Sequence, residues 1–248
     1  MKPMAHNGFK ALTSAWVLAL LATVAWSQGP SIRWLGTLGG DWSWAYGVSA
    51  DGSVVVGWAR NAAGQRRAFR WTASGGMQDL GALPGGSNST WAYGVSADGS
   101  VVVGWADNAA GRSRAFRWRN GVMQDLGTLG GDRSAAYGVS ADGSVMVGWA
   151  ENAAGQWRAV RWTASGIEDL NITYASLLTN GSRLEVAYAI SPDGRYIVGQ
   201  GRNAATRRIE AFLLDTRCTL RGDVNGDGRV DDADLLIVLF NFGSQCRQ

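Results

Sequence analysis

With 248 residues, 35 glycines, 13 tryptophans and a formal charge of +3, the chain is long enough for one sizeable core. It is too evenly charged to offer nucleic acid a basic face. Its only histidine, His6, and both lysines, Lys2 and Lys10, stand in the first ten residues. The rest of the chain therefore holds no Ser-His-Asp triad and no histidine-liganded zinc.

Residues 1–27 read as a secretory signal peptide. A start carrying Lys2 and Lys10 leads into the uncharged run ALTSAWVLALLATVAW, and Ala25 and Ser27 place small residues at the −3 and −1 positions of a cut before Gln28. The apolar run is shorter than the roughly 20 residues of a membrane helix; the alternative is an uncleaved anchor. No later stretch has the length and apolarity of a span, so the expected mature chain is exported and has no membrane span. There, 21 arginines face 20 acidic residues and are scattered, not clustered.

From residue 28 to 215 the chain repeats itself. AYGVSADGSVVVGWA stands at 45–59 and again, letter for letter, at 92–106; it returns with one change at 136–150 and in degenerate form at 187–201. Leu35, Leu80, Leu126 and Leu170 mark a period of about 45 residues. Within each period, Asp51-Gly52, Asp98-Gly99, Asp142-Gly143 and Asp193-Gly194 stand between apolar β-rich runs and predict hairpins. Asn61, Asn108, Asn152 and Asn203 each open a second turn. Each unit thus reads as four short antiparallel strands. The second, VVVGW, does not alternate, as expected for a strand covered on both faces.

A four-stranded sheet packed between like sheets describes a propeller blade. The expected fold is all-β, a four-bladed β-propeller. The segment 32–38 (IRWLGTL) resembles the fourth strand of a unit, and the last unit supplies only three. Pairing strand 32–38 with strand 210–214 would close the ring and leave no open edge. An open β-solenoid, or a ring completed by a second chain, is the alternative. The string LGTLGG…AYGVSADGSVVVGWA…RAFRWTASGGMQDLGTLGG resembles the HAF-type repeat of bacterial extracellular proteins over about residues 34–214. That resemblance implies an extracellular location and a repeat architecture. The fourth copy departs from it, with Gln200 where Trp58, Trp105 and Trp149 stand and a longer loop, NITYASLLTNGSRLE, before it.

Repeated tryptophans read as packing residues, and the repeated Asp-Gly pairs as turns, not as calcium ligands. Trp42, Trp44, Trp91 and Trp157 do not recur in every copy. If exposed, such planes stack on sugar rings; the alternative for Trp91, which aligns with Trp44, is the core. No pair of carboxylates stands out for glycoside hydrolysis among Glu151, Glu168, Glu185, Glu210 and the aspartates, so no catalytic residue is named.

Residues 216–248 differ in kind. GDVNGDGRVDDADLLIVLFNFG sets Asp223, Asn225, Asp227, Arg229 (through its carbonyl), Asp231 and Asp234 at positions 1, 3, 5, 7, 9 and 12 of a calcium loop, with Gly228 at the sharp turn. The apolar run that follows reads as a helix. Loop plus helix over 222–243 resembles one half of a type I dockerin, which implies bound Ca²⁺. Dockerins carry two such segments where this sequence has one; the partner the resemblance implies is a cohesin-like protein. Cys218 and Cys246 bracket the segment and, in an exported chain, read as one disulfide; two free thiols are the alternative.

The sequence therefore points to a secreted, non-catalytic binding or attachment protein for an extracellular protein or polysaccharide. An accessory or enzymatic component of polysaccharide breakdown, recruited through the C-terminal segment, and a structural cell-envelope protein are the alternatives.

Overall fold

The structure, a computed structural model, describes residues 29–86, 89–217, 232 and 235. Residues 29–34 are the described part of an N-terminal unit, Met1–Trp34, and form neither strand nor helix. Every sheet belongs to the second unit, Leu35–Gln248.

Four antiparallel meanders follow one another. The first holds β1 (Gly39–Val48), β2 (Val54–Asn61), β3 (Arg66–Thr72) and β4 (Gly76–Asp79). The second holds β5 (Thr90–Val95), β6 (Val101–Asp107), β7 (Ser113–Arg119) and β8 (Val122–Asp125). The third holds β9 (Gly130–Val139), β10 (Met146–Asn152), β11 (Trp157–Thr163) and β12 (Gly166–Asp169). The last has three strands, β13 (Arg183–Ile190), β14 (Tyr196–Asn203) and β15 (Arg208–Asp215), as the repeat count predicts. The longer loop before it carries α1 (Leu170–Thr173), whose first turn is capped by the Asp169 carboxylate accepting from the Asn171 amide at 2.9 Å.

Each hairpin between the first and second strands is fixed by its own aspartate. The Asp51 carboxylate accepts from the hydroxyls of Ser49 and Ser53 and from the Ser53 amide. Asp98, Asp142 and Asp193 do the same work with Ser96, Ser140 and Ser191. These carboxylates are spent on the turn, as a turn role predicts. The second turns close on asparagine: Asn61 Oδ1 accepts from the amides of Ala63 and Gln65, and Asn108 and Asn152 repeat the pattern.

The core lies between successive sheets. Val54 and Val56 of the first meet Ala92, Val102, Phe116 and Trp118 of the second. Val101 and Val103 meet Ala136, Met146 and Trp162, and Val147 meets Leu184, Ile197 and Leu214. Full burial of such a valine contributes about 2 kcal/mol. The second VVVGW strand is covered on both faces because its sheet lies between two others, Val102 packing on the first sheet and Val101 and Val103 on the third, whereas in the first sheet only Val54 and Val56 meet a neighbouring sheet. Gly57 belongs to this design: a Cβ there would run into the Trp44 carbonyl of β1. At Gly47 the close approach is to the next sheet, where a Cβ would lie 2.9 Å from the Tyr93 carbonyl oxygen.

A backbone relay also ties the sheets together. The Ala50 amide donates to the Ala97 carbonyl at 3.0 Å, Ala97 to Ala141 at 3.0 Å, and Ala141 to Pro192 at 2.9 Å.

The ring closure expected from strand 32–38 is not present. Residues 32–37 form no strand, and Leu38 makes only an isolated parallel bridge to Asn61 of its own sheet. The physical reason is the LGTLGG string, which is a turn. Gly36 and Gly39 sit at φ +81° and +96°, and the Thr37 hydroxyl donates to the Gly40 carbonyl at 2.7 Å. The same string at 126–131 turns the same way, with Leu129 bridging Asn152 and Thr128 bonding Gly131. Among the described residues the fourth sheet makes no packing on the first comparable to that between successive sheets. Val48, whose counterparts Val95, Val139 and Ile190 pack on the preceding sheet, is 60% exposed. At the other end Val198, counterpart of the buried Val56, Val103 and Val147, is 41% exposed. The described sheets form an open arc.

Candidate functional site: an aromatic wall on the first strands

The first strands β1, β5, β9 and β13 contact one another in sequence and form one wall of the arc. Each carries a tyrosine at the same place in the repeat. Tyr46, Tyr93, Tyr137 and Tyr188 therefore stand in a row, with ring centroids 5.4, 5.1 and 5.6 Å apart. Each phenol is held by a residue twelve positions on. Trp58, Trp105 and Trp149 donate their indole N–H to the hydroxyls of Tyr46, Tyr93 and Tyr137 at 3.4, 3.2 and 3.2 Å. In the fourth copy the bond reverses: Tyr188 donates to Gln200 Oε1 at 3.1 Å. Gln200 thus keeps the tyrosine in place where the tryptophan is lost. Burial, and to a lesser degree the neighbouring phenols, push the pKa of Tyr93 and Tyr137 above the ordinary tyrosine value, so both are neutral.

A ladder of indoles runs beside this row. Trp42 meets Trp44 edge-on at 5.7 Å; Trp44 stacks on Trp58 at 4.4 Å, Trp58 on Trp91 at 4.7 Å, and Trp91 on Trp105 at 5.9 Å. Cross-strand pairing places the rungs, since Trp44 lies opposite Trp58 and Trp91 opposite Trp105. Two arginines sit over ladder rings, Arg60 over Trp42 at 4.4 Å and Arg66 over Trp58 at 5.7 Å. In the third sheet Trp149 stacks on Trp157 at 4.6 Å.

Of the four non-repeating tryptophans singled out by sequence, Trp42, Trp44 and Trp157 are 48%, 44% and 48% exposed. Trp91 is half-buried between Trp58 and Trp105. Trp42, Trp44 and Trp91 share one ladder, and Trp157 extends the second. The tyrosine row was not singled out, although the AY pair recurs in all four copies.

The glutamates are each committed to donors. Glu168 is paired with Arg161 at 2.8 Å and Glu185 with Arg183 at 2.6 Å. Glu210 accepts from Thr206 and Asn203, which lowers its pKa, and Glu151 accepts from the amides of Asp132 and Arg133. Among the described residues no cluster of three or more His, Cys, Asp or Glu is placed to hold a metal, and no helix is long and apolar enough to cross a membrane. The expected calcium ligands Asp223, Asn225, Asp227, Arg229, Asp231 and Asp234, and the pair Cys218 and Cys246, lie outside the described residues. Between them only Asp232 and Leu235 are described, both helical and exposed.

No known family profile and no curated protein matches the chain. Among the solved structures that resemble it are two of TolB proteins. TolB from Acinetobacter baumannii superposes with a TM-score of 0.50 at 18% identity, covering 68% of this chain and 40% of that one. A protein assigned as TolB from Agrobacterium tumefaciens superposes at 0.51 and 17% identity, covering 69% and 61%. The chain spans less than two thirds of the length of either. At such identities the likeness is one of fold, and the fold it shows is the β-propeller.

Proposed function

We propose that the chain is an exported, non-catalytic binding protein that holds extracellular polysaccharide on its aromatic wall. The observation that supports this most directly is the indole ladder, which begins in the half-exposed rings of Trp42 and Trp44 and continues inward through Trp58 and Trp91. Exposed indole faces present wide, rigid apolar planes whose edges stay polar. A pyranose ring has the matching surface, with C–H bonds on its faces and hydroxyls round its rim. Arg60, over Trp42, adds a donor at the edge of the platform.

The C-terminal segment completes the proposal. Ca²⁺ held by Asp223, Asn225, Asp227, the Arg229 carbonyl, Asp231 and Asp234 would order a dockerin-like tether, closed by a Cys218–Cys246 bond. The tether would keep the wall at a cell or matrix surface.

Binding to a printed array of oligosaccharides, run beside a product assay on the same glycans, tests the reading. Retention without product, weakened by Trp42→Ala and Trp44→Ala, is the expected result. Product release would overturn the non-catalytic assignment, and an array with no bound glycan would overturn the ligand class.

A further inference from the structure

The fourth sheet stops one strand short, and its last strand keeps an open edge. In the first three sheets the third strand is covered by a four-residue strand, β4, β8 or β12. Among the described residues β15 has β14 on one side and no strand on the other. It is eight residues long, free of proline, and pairs with β14 without a bulge. Backbone groups alternate in direction along such a strand. The Ala68 carbonyl turns to the fourth-strand side and accepts from the Leu80 amide at 3.0 Å; Ala115 does the same for Leu126 at 2.9 Å. Ala211 holds that place in β15, since Ala68, Ala115 and Ala211 lie opposite Trp58, Trp105 and Gln200. Ile209, Ala211 and Leu213 therefore direct their amides and carbonyls to the open edge. Their side chains are exposed, with Val198, on one face of the sheet. A long, regular edge of this kind is ready to pair with another chain.

The residues beside the edge change together with the loss of the strand. Arg67, Arg114 and Arg158 pair with Asp79, Asp125 and Asp169 at 2.9, 3.1 and 2.8 Å. Glu210 takes that place in β15. Arg117 and Arg161 reach Gln124 and Glu168 at 2.9 and 2.8 Å, and Leu213 takes their place. A strand of the chain's own kind, MQDL or IEDL, would set an aspartate beside Glu210 and a polar side chain against Leu213. The segment Ile32-Arg33-Trp34 would bring an arginine against Leu213 and no cation to Glu210. Glu210 accepts from Asn203 and Thr206, both neutral, whereas Arg183 and Arg202 face Glu185 at 2.6 and 3.8 Å. Next to it lies a cavity of about 220 Å³ with Leu177, Leu178, Leu184 and Phe212 in its wall. The aliphatic stem of a long basic side chain fits such a wall, with its charge at the carboxylate.

We infer that β15 takes its fourth strand from a partner protein, as an extended apolar segment with one arginine or lysine where this chain's own fourth strands carry aspartate. The surface is separate from the aromatic wall and does not depend on the polysaccharide reading. Main-chain bonds to Ile209, Ala211 and Leu213 hold the segment. The apolar residue against Leu213 and the basic one beside Glu210 select it, and the same two positions reject a strand from a second copy.

Calorimetry on the full chain with two synthetic peptides tests the inference. One carries GVMQDLG, the sequence of residues 121–127; the other carries GVMVRLG, with the two facing positions changed. The unmodified chain should bind GVMVRLG at least about tenfold more tightly, the scale of exchanging a like-charge pair for an opposite one. Glu210→Arg combined with Leu213→Arg restores the arginine pair of the other third strands and should invert the preference. Methylating the peptide's leucine amide, which faces β15 as Leu80 faces β3, should abolish binding. Methylating its arginine amide, which faces away, should leave it intact. This last pair needs no variant of the protein. No heat from GVMVRLG at millimolar concentrations overturns the inference. Equal or tighter binding of GVMQDLG overturns the partner's chemistry and makes the edge a site for a second copy. Binding that survives methylation of the leucine amide overturns the added strand.

Discussion

The amide N–H of Ala141 reaches the carbonyl of Pro192 at 2.9 Å, and there the relay stops. Ala50, Ala97 and Ala141 each accept or donate along the arc through the same turn position, and in the fourth copy that position is proline, which has no N–H to pass on. A second change works the same way. Gly47, Gly94 and Gly138 lie where a Cβ would press on the next sheet, 2.9, 2.9 and 3.2 Å from its nearest atoms, and the fourth copy has Ala189 there. Both substitutions disfavour a fifth sheet in the same geometry. Repeat arrays end in modified terminal units, and this is one.

The chain should accordingly be monomeric in solution despite its open ends. Restoring the repeat with Ala189→Gly and Pro192→Ala should let the fourth sheet of one copy seat on the first sheet of another. That first sheet carries residues 45–59, identical to the 92–106 segment already seated on a neighbour. Sedimentation velocity at micromolar concentration reads the outcome. Self-association of the unmodified chain, or a double variant that stays monomeric, would contradict the capping role.

The Trp–Tyr bonds give a graded prediction. Tyr137→Phe removes the acceptor of the buried Trp149 N–H and should destabilise by about 1–2 kcal/mol in urea unfolding. Tyr46→Phe acts on a longer bond, 3.4 Å, at a half-exposed ring and should change stability by less than about 0.5 kcal/mol. Equal losses would mean that the bonds hold nothing up and that ring packing alone sets the row.

The number of sheets, the buried VVVGW strands, both turn types and the three-stranded final unit were legible in the sequence, because each recurs at a fixed offset and periodicity exposes it. The closing strand was misread because MQDLGTL joins two things. Its strand ends at Asp125, and Leu126-Gly127 already begins a turn, with Gly127 at φ +82°. Ala135 was invisible for a different reason. An alanine in place of a tryptophan carries no chemistry of its own, and only cross-strand pairing shows that it stands opposite Trp149, where the first two sheets set Trp44 and Trp91 opposite Trp58 and Trp105. Gln200 likewise looked like simple loss of the repeat until Tyr188 was found bonded to it across twelve residues.

Calcium binding at the proposed loop should be separable from the sheets. Asp223→Ala or Asp234→Ala should abolish binding, for which an extracellular module has a dissociation constant of about 10⁻⁴–10⁻³ M. The thermal unfolding of the sheets should be unchanged. A Cys218–Cys246 bond would stabilise the segment by roughly 3–4 kcal/mol in the chain-entropy model, so reduction should weaken calcium affinity as well. Calorimetry on oxidised and reduced protein reads both effects; calcium heat that survives both aspartate variants would remove the site.

Acid should act through the hairpins. Hydrogen bonds from the serine side chains and amides hold Asp51, Asp98 and Asp142 at a pKa of about 2, against an ordinary value of 3.8, and Asp193 is lowered in the same way. A carboxyl whose folded pKa is depressed favours the folded state when it is charged. Its contribution is complete above the unfolded value and disappears as pH falls through the folded one. These four groups should therefore leave the melting temperature level from pH 7 to about 5, and lower it progressively from about pH 4 to 2. The triple variant Asp51→Asn, Asp98→Asn, Asp142→Asn keeps an acceptor oxygen in each turn but removes the titrating group. It should start from a lower melting temperature at pH 7 and lose less on acidification. Melts recorded at half-unit pH steps decide the matter: an acid slope in the triple variant as steep as that of the unmodified chain would place the acid sensitivity elsewhere.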